Sequence, residues 1–304
     1  MKTNIIIATL AACMLMGTSQ AMGQTNILGK TFDSNEKIQA SQKTITYELE
    51  NPERFKQIHL AGSGIVEYRQ SSDGQTHVTV TIAENIRNYV EVEVENGALK
   101  NRWKAINTSI TGDPKLKIVC ESPQIEAVNV AGSGTIRLLG DIKSRRIALK
   151  VAGSGKVIAE HLDMEETIQG DVAGSGEIKI NNGISTRTSF NIAGSGDIQA
   201  DNLKAPITDA RISGSGDIQL KGSVLKAFYR TTGSGEIHAD GFKAGEVYAE
   251  ITGSGKIHCH VTETLSTKVT GSGEIIYSGN PATINDRNSK TKQTTDTEEV
   301  MEGI

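Results

Sequence analysis

The tripeptide Gly-Ser-Gly occurs nine times in this chain, opening at Gly62, Gly132, Gly153, Gly174, Gly194, Gly214, Gly233, Gly253 and Gly271. After the isolated first copy the spacings are 21, 21, 20, 20, 19, 20 and 18 residues. A period this short and even commits the chain to stacked repeats. The flanks repeat as well. Two residues past each motif stands a branched apolar residue, from Val66 and Ile136 through to Ile275, and two residues before it another, from Leu60 and Val130 to Val269, with Thr231 in one copy. Polar residues alternate with them. Period two on both sides of a glycine pair means a strand, a corner and a strand.

One such unit cannot bury its apolar face. Stacked copies can, by placing the branched residues in ladders and pairing each backbone with the coils above and below. A corner of this kind needs a positive φ and close approach between neighbouring coils, and glycine supplies both. A second apolar cluster follows within each coil, for example Ile142 and Ile147, Leu162, Ile184, Leu203 with Ile207, or Phe242 with Val247, which implies two or three short parallel strands per coil. Leucine-rich, hexapeptide and helical repeats do not fit, because their frames are absent and the coils are short and β-branched.

Residues 51–125 are less regular. They hold the first Gly-Ser-Gly, alternating stretches at His77 to Ile82 and Tyr89 to Glu95, an Asn96-Gly97 turn and a further alternation from Leu116 to Cys120. This segment is the expected β cap that shields the first coil from edge-to-edge association. The solenoid proper is assigned to 126–280, and 281–304 to a polar, loosely ordered tail. Residues 1–21 have the features of a signal peptide, with Lys2, an apolar run from Ile5 to Gly17 and a Ser19-Gln20-Ala21 cleavage site. Leu10-Ala11-Ala12-Cys13 offers the alternative of lipoprotein anchoring. Residues 22–50 form a lead-in. No later stretch reaches the ~20 apolar residues of a membrane helix. Net charge is −4 with both signs interleaved, so no basic stripe points to nucleic acid.

The Phe55-Lys56-Gln57-Ile58 stretch, Gly62-Ser63-Gly64, the Val92 to Leu99 strand and turn, and the repeated Val-Ala-Gly-Ser-Gly units resemble the auto-transporter adhesin family called the head GIN domain, found in exported proteins of Bacteroidetes-type bacteria. The similarity covers roughly residues 50–280. It implies an all-β fold, a single-stranded right-handed parallel β-helix of the pectin lyase type with coils of about 20 residues. It also implies a role in cell adhesion without catalytic residues. The sequence carries no coiled-coil stalk or barrel anchor after the repeats, so transport in cis is not expected.

Several groups invite chemistry and are weighed against plainer roles. Gly153-Ser154-Gly155-Lys156 looks like part of a phosphate loop, but the full motif fails. Glu177, Asp197, Asp217, Glu236 and Glu274 follow their motifs directly and would stack as a carboxylate row, interrupted by Thr135, Lys156 and Lys256. Without a nine-residue calcium period this reads as a solvated face. His238 and His258 hold one outward position in consecutive coils, and Asp240 and His260 the position two residues further on. These four could share a zinc or copper ion, although outward histidines are by default solvated. No metal, cofactor or catalytic residue is assigned from the sequence. Phe228, Tyr229 and Tyr248 could line a sugar site, with Tyr229 better placed for core packing, and packing is also the default for Trp103. Cys120 and Cys259, at different levels of a solenoid, read as buried free thiols. The expected function is a non-enzymatic exported protein that binds a cell-surface glycan or protein through its outer faces. A carbohydrate-active lyase or hydrolase, or a structural envelope component, are the alternatives.

Overall fold

The computed structural model describes residues 36–104, 108–287 and 290–294. The chain divides into two units, 1–36 and 37–304, and the fold lies in the second. The expected signal peptide and the Cys13 alternative fall outside the described residues.

The second unit is a β-solenoid of stacked parallel coils. All nine motif openings align, Gly62 under Gly132, then Gly153, Gly174, Gly194, Gly214, Gly233, Gly253 and Gly271, in one unbroken register. The first copy is therefore the lowest rung and not an outlier. Each coil has three arms. In the run Thr135–Gly153 the register shifts between Leu138 and Asp141, and again between Ser144 and Arg146. Those shifts mark two corners, and Gly-Ser-Gly makes the third.

At that third corner the backbones nearly touch. Gly214 has φ +135°, and a Cβ there would sit 2.2 Å from the carbonyl oxygen of Gly194 in the coil below. The same oxygen accepts a hydrogen bond from the Ser215 amide at 2.9 Å. The third residue of the motif is also crowded, since a Cβ on Gly216 would meet the Gly196 oxygen at 2.2 Å. The intervening serines from Ser133 to Ser272 are exposed, so they contribute a small polar side chain and no buried contact.

The core consists of ladders. Val66, Ile136, Val157, Ile178, Ile198, Ile218, Ile237, Ile257 and Ile275 stack after the corner, all 0–1% exposed. Each such side chain contributes about 1.5–3 kcal/mol by leaving water. Before the corner a second ladder alternates in size, with Gly170, Phe190, Ala210, Tyr229 and Ala249 in consecutive coils. Gly170 is required there, because a Cβ would stand 2.9 Å from the Phe190 ring. Two residues expected in the core are not in it. Ile184 is 43% exposed, and Gly183 takes the inward place beneath Leu203. Ile207 is aligned with Arg187 and Lys226 on an outward row, and its neighbour Thr208 is buried against Thr188, with hydroxyls 2.7 Å apart.

Residues 71–126 form an excursion between the first and second coils. Their strand Ala98–Trp103 pairs with the underside of Gln57–Gly62, and Lys117–Ser122 with that of Ile65–Gln70. His77–Ala83 closes antiparallel on Lys117–Ser122, and Thr44–Glu48, from the lead-in, adds to its other edge. Trp103 covers the first corner, and its Nε1 donates to the Ala61 carbonyl at 3.0 Å. At the far end the described part of the segment expected to be a loose tail, residues 281–287 and 290–294, builds a partial last rung. Thr283–Asp286 pairs with residues 264–267, and Thr291–Gln293 with residues 275–277. The polar side chains of this segment did not disclose that their backbone completes the sheet.

Candidate functional site

The outward rows carry the candidate chemistry. The row directly after the corner runs Thr135, Lys156, Glu177, Asp197, Asp217, Glu236, Lys256 and Glu274 in perfect register. Its ends are neutralised: Lys156 pairs with Glu177 at 2.5 Å, and Glu274 with Lys292. In the middle, partial burial and then the charges of Asp217 and Glu177 hold the Asp197 carboxyl above its usual range. Gly153-Ser154-Gly155-Lys156 lies between two strands, with no helix to complete a phosphate loop. Cys120 and Cys259 are free and buried.

The four-residue patch inferred from His238, Asp240, His258 and His260 does not assemble in that form. His238 and His258 do stack, with ring centroids 5.5 Å apart. The register then slips between Ala239 and Lys243, so that His260 lies beside Lys243 rather than Asp240. The cause is length. The coil opening at Gly253 is two residues shorter than the one below it, and Asp240 falls in the stretch without a counterpart. His260 instead shares a 2.9 Å hydrogen bond with Ser278. The side chain that joins the two histidines is Glu236, two residues before His238 on the same strand face. Its period-two spacing from His238 is visible in the sequence, where Glu236 also stands in the carboxylate row.

A groove of about 690 Å³ lies on the sheet before the corner, near the C-terminal end. Its floor is an outward row of Asp209, Phe228, Tyr248, Ser266 and Asn285. Phe228 and Tyr248 stack face to face, 5.1 Å apart and 14° from parallel. The next rung offers only Ser266, too short to cover a ring, so the row drops away beside Tyr248, which is 38% exposed. Tyr229 points the other way, into the core. A parallel row supplies Arg211, Arg230, Glu250 and Lys268. Arg211 holds Asp209 at 2.6 Å, while Glu250 lies between Arg230 at 3.0 Å and Lys268 at 2.8 Å. Lys268 first, and Arg230 with it, keep the Glu250 carboxyl below the usual range. Asp209 is 6% exposed, and its Oδ1 has no hydrogen-bond partner among the described residues. The residues at 284–287 of the last rung complete the lining. An aromatic face beside fixed donors and acceptors, in a space of this size, suits a polar ring-shaped ligand.

A family model described as "Putative auto-transporter adhesin, head GIN domain" matches residues 54–221 and 208–281. No curated protein matches the chain. Among solved structures, a protein of Parabacteroides distasonis titled a putative lipid binding protein is 29% identical, with a TM-score of 0.63, covering 86% of this chain and 100% of its own. A putative adhesin from the same organism is 21% identical with a TM-score of 0.66, covering 85% and 100%. Another, from Parabacteroides merdae, is 20% identical with a TM-score of 0.63, covering 86% and 100%. The last two likenesses bear on the fold alone.

Proposed function

We propose that this chain, which belongs to the auto-transporter adhesin family with the head GIN domain, is a non-enzymatic exported protein that binds a cell-surface or matrix glycan in the groove beside Tyr248. Membership of an adhesin family speaks for an external binding partner and a surface or extracellular setting. Among the described residues no helix is long and apolar enough to cross a membrane. The observation that carries the glycan reading is the Phe228–Tyr248 stack, with its open edge toward Ser266 and its flanking charged row.

Glycoside hydrolysis needs a carboxylic acid kept protonated beside the scissile bond. In this groove Lys268 and Arg230 hold the Glu250 carboxyl below its usual range, so Glu250 does not supply that acid. The charged lining also argues against an acyl chain as ligand, although a structural relative is titled a lipid-binding protein. A matrix protein remains an outcome of the test.

The test is a glycan array with the purified protein, followed by calorimetry on any hit and a parallel assay of polysaccharide cleavage. Removing the aromatic face with Tyr248→Ala is expected to weaken glycan binding about two- to tenfold, because one stacked ring contributes about 0.5–1.5 kcal/mol beyond its buried area and about 1.4 kcal/mol is a factor of ten. Binding with unchanged affinity after the substitution would refute the groove. Cleavage at a useful rate would refute the non-enzymatic reading, and binding to matrix protein alone would refute the glycan.

A further inference from the structure

A second site lies on a different sheet, after the corner rather than before it. Glu236, His238 and His258 each offer one ligand atom, and these atoms all lie within 4.8 Å of one another. We propose that they bind one transition-metal ion, zinc or copper(II), through two imidazoles of adjacent coils and one carboxylate.

The backbone fixes the arrangement. His238 and His258 are direct register partners, and the residues preceding them, Ile237 and Ile257, are locked in the core at 0% exposure. Parallel strands at about 4.8 Å spacing therefore hold both imidazole stems side by side. Glu236 and His238 alternate with Ile237 and so share the outward face. A tetrahedral zinc ion with ligands at about 2.0–2.1 Å spaces its ligand atoms about 3.3 Å apart. Glu236 Oε2 and His238 Nε2 are 3.5 Å apart, so one edge of the polyhedron is nearly formed. The remaining closure needs only χ rotations of half-exposed side chains.

The neighbouring groups define the site's limits. Lys256, the register partner of Glu236, approaches its other oxygen, Oε1, at 4.0 Å and leaves Oε2 toward His238. The rungs on either side of the histidine pair are Gln219 and Ile276, so the row supplies two imidazoles and no more. Two nitrogens and one carboxylate oxygen form a donor set that favours zinc or copper(II) over calcium or magnesium, which take oxygen ligands. With three protein ligands, a fourth position is left for water or a partner's donor group.

The experiment is calorimetric titration of the untagged protein with zinc chloride in a non-chelating buffer, with copper(II) paramagnetic resonance as a second readout. One zinc per chain is expected, and a copper spectrum with two equivalent-type nitrogen couplings. His258→Ala and, separately, His238→Ala should each weaken zinc binding at least about tenfold, since even loss of a group supporting a ligand costs 10–100-fold. Glu236→Gln should weaken it too, while His260→Ala leaves it unchanged. These side chains point outward, and an unaltered thermal melt of each variant checks that the fold is kept. Absence of zinc heat in the parent protein, or zinc affinity unchanged in both histidine variants, would overturn the site. Neither result bears on the glycan groove, which lies on another face and is tested through Tyr248.

Discussion

Substituting Gly214 by alanine tests the corner on which the whole repeat rests. The φ of +135° is one that a side chain adopts only at a cost of about 1–3 kcal/mol. The added Cβ would stand 2.2 Å from the Gly194 oxygen, with the carbonyl carbon and amide nitrogen of the same residue at 3.0 and 3.1 Å. None of these atoms can yield as a flexible side chain would, because each belongs to a coil pinned from below. Separating the coils enough to relieve the clash also stretches the 2.9 Å bond from the Ser215 amide, about 1 kcal/mol more. The expected loss is about 3–5 kcal/mol, a large part of the stability of an ordinary domain. Urea unfolding followed by far-ultraviolet circular dichroism measures it. Two controls separate the causes. Gly97→Ala, at φ +72° with nothing within 4 Å of the new Cβ, should cost only about 1–2 kcal/mol for the backbone conformation. Ser215→Ala, at an exposed position, should stay within about 0.5 kcal/mol. If Gly214→Ala costs no more than Gly97→Ala, close approach of the coils is not why the motif carries glycine.

Thr231 occupies a fully buried place in a ladder of branched apolar residues, and its hydroxyl has no partner among the described residues. Thr231→Val should therefore raise stability by about 1 kcal/mol, read as a higher urea midpoint. Asp197 is held above its usual carboxylate range in the folded chain. A folded pKa above the unfolded one means that protonation favours folding, so this group's contribution is full at low pH and is lost as pH rises through the folded value. Asp197→Asn should stabilise the protein by a few tenths of a kcal/mol at neutral pH, and thermal melts should show the gain vanish by about pH 3. Burial pushes the Cys259 thiol up to about 12 and raises that of Cys120 further. Iodoacetamide labelling with peptide mapping should leave both unmodified in the native protein and modify both in urea.

The parts of the fold read correctly from the sequence are those governed by the corner. Ile178 and Val172 had to face inward because they stand two residues on either side of a glycine pair, where the strand period leaves no choice. Farther from the corner the period is reset at two further bends without a fixed residue type, and there Ile184 and Ile207 lie outside the core that their apolar character predicts. The same loss of phase separated Asp240 from His260. The 20 and 18 residue spacings showed that adjacent coils differ in length, but not where the difference is absorbed. The groove was legible only in part. Phe228 and Tyr248 could be placed in neighbouring coils, but the drop to Ser266 and the added rung at 283–286 depend on how a polar segment pairs its backbone.

The size alternation of the inner ladder limits how such a chain can grow or shrink. Excising the single coil that contains Ala210 would bring Phe190 directly under Tyr229, two rings in a space shaped for one ring and a methyl group. Excising the next coil as well would set Phe190 under Ala249 and restore the alternation. In this stretch, duplication and deletion of repeats should be tolerated two coils at a time, so the packing unit that can be added or removed intact is a pair of coils of about forty residues and not the twenty-residue motif.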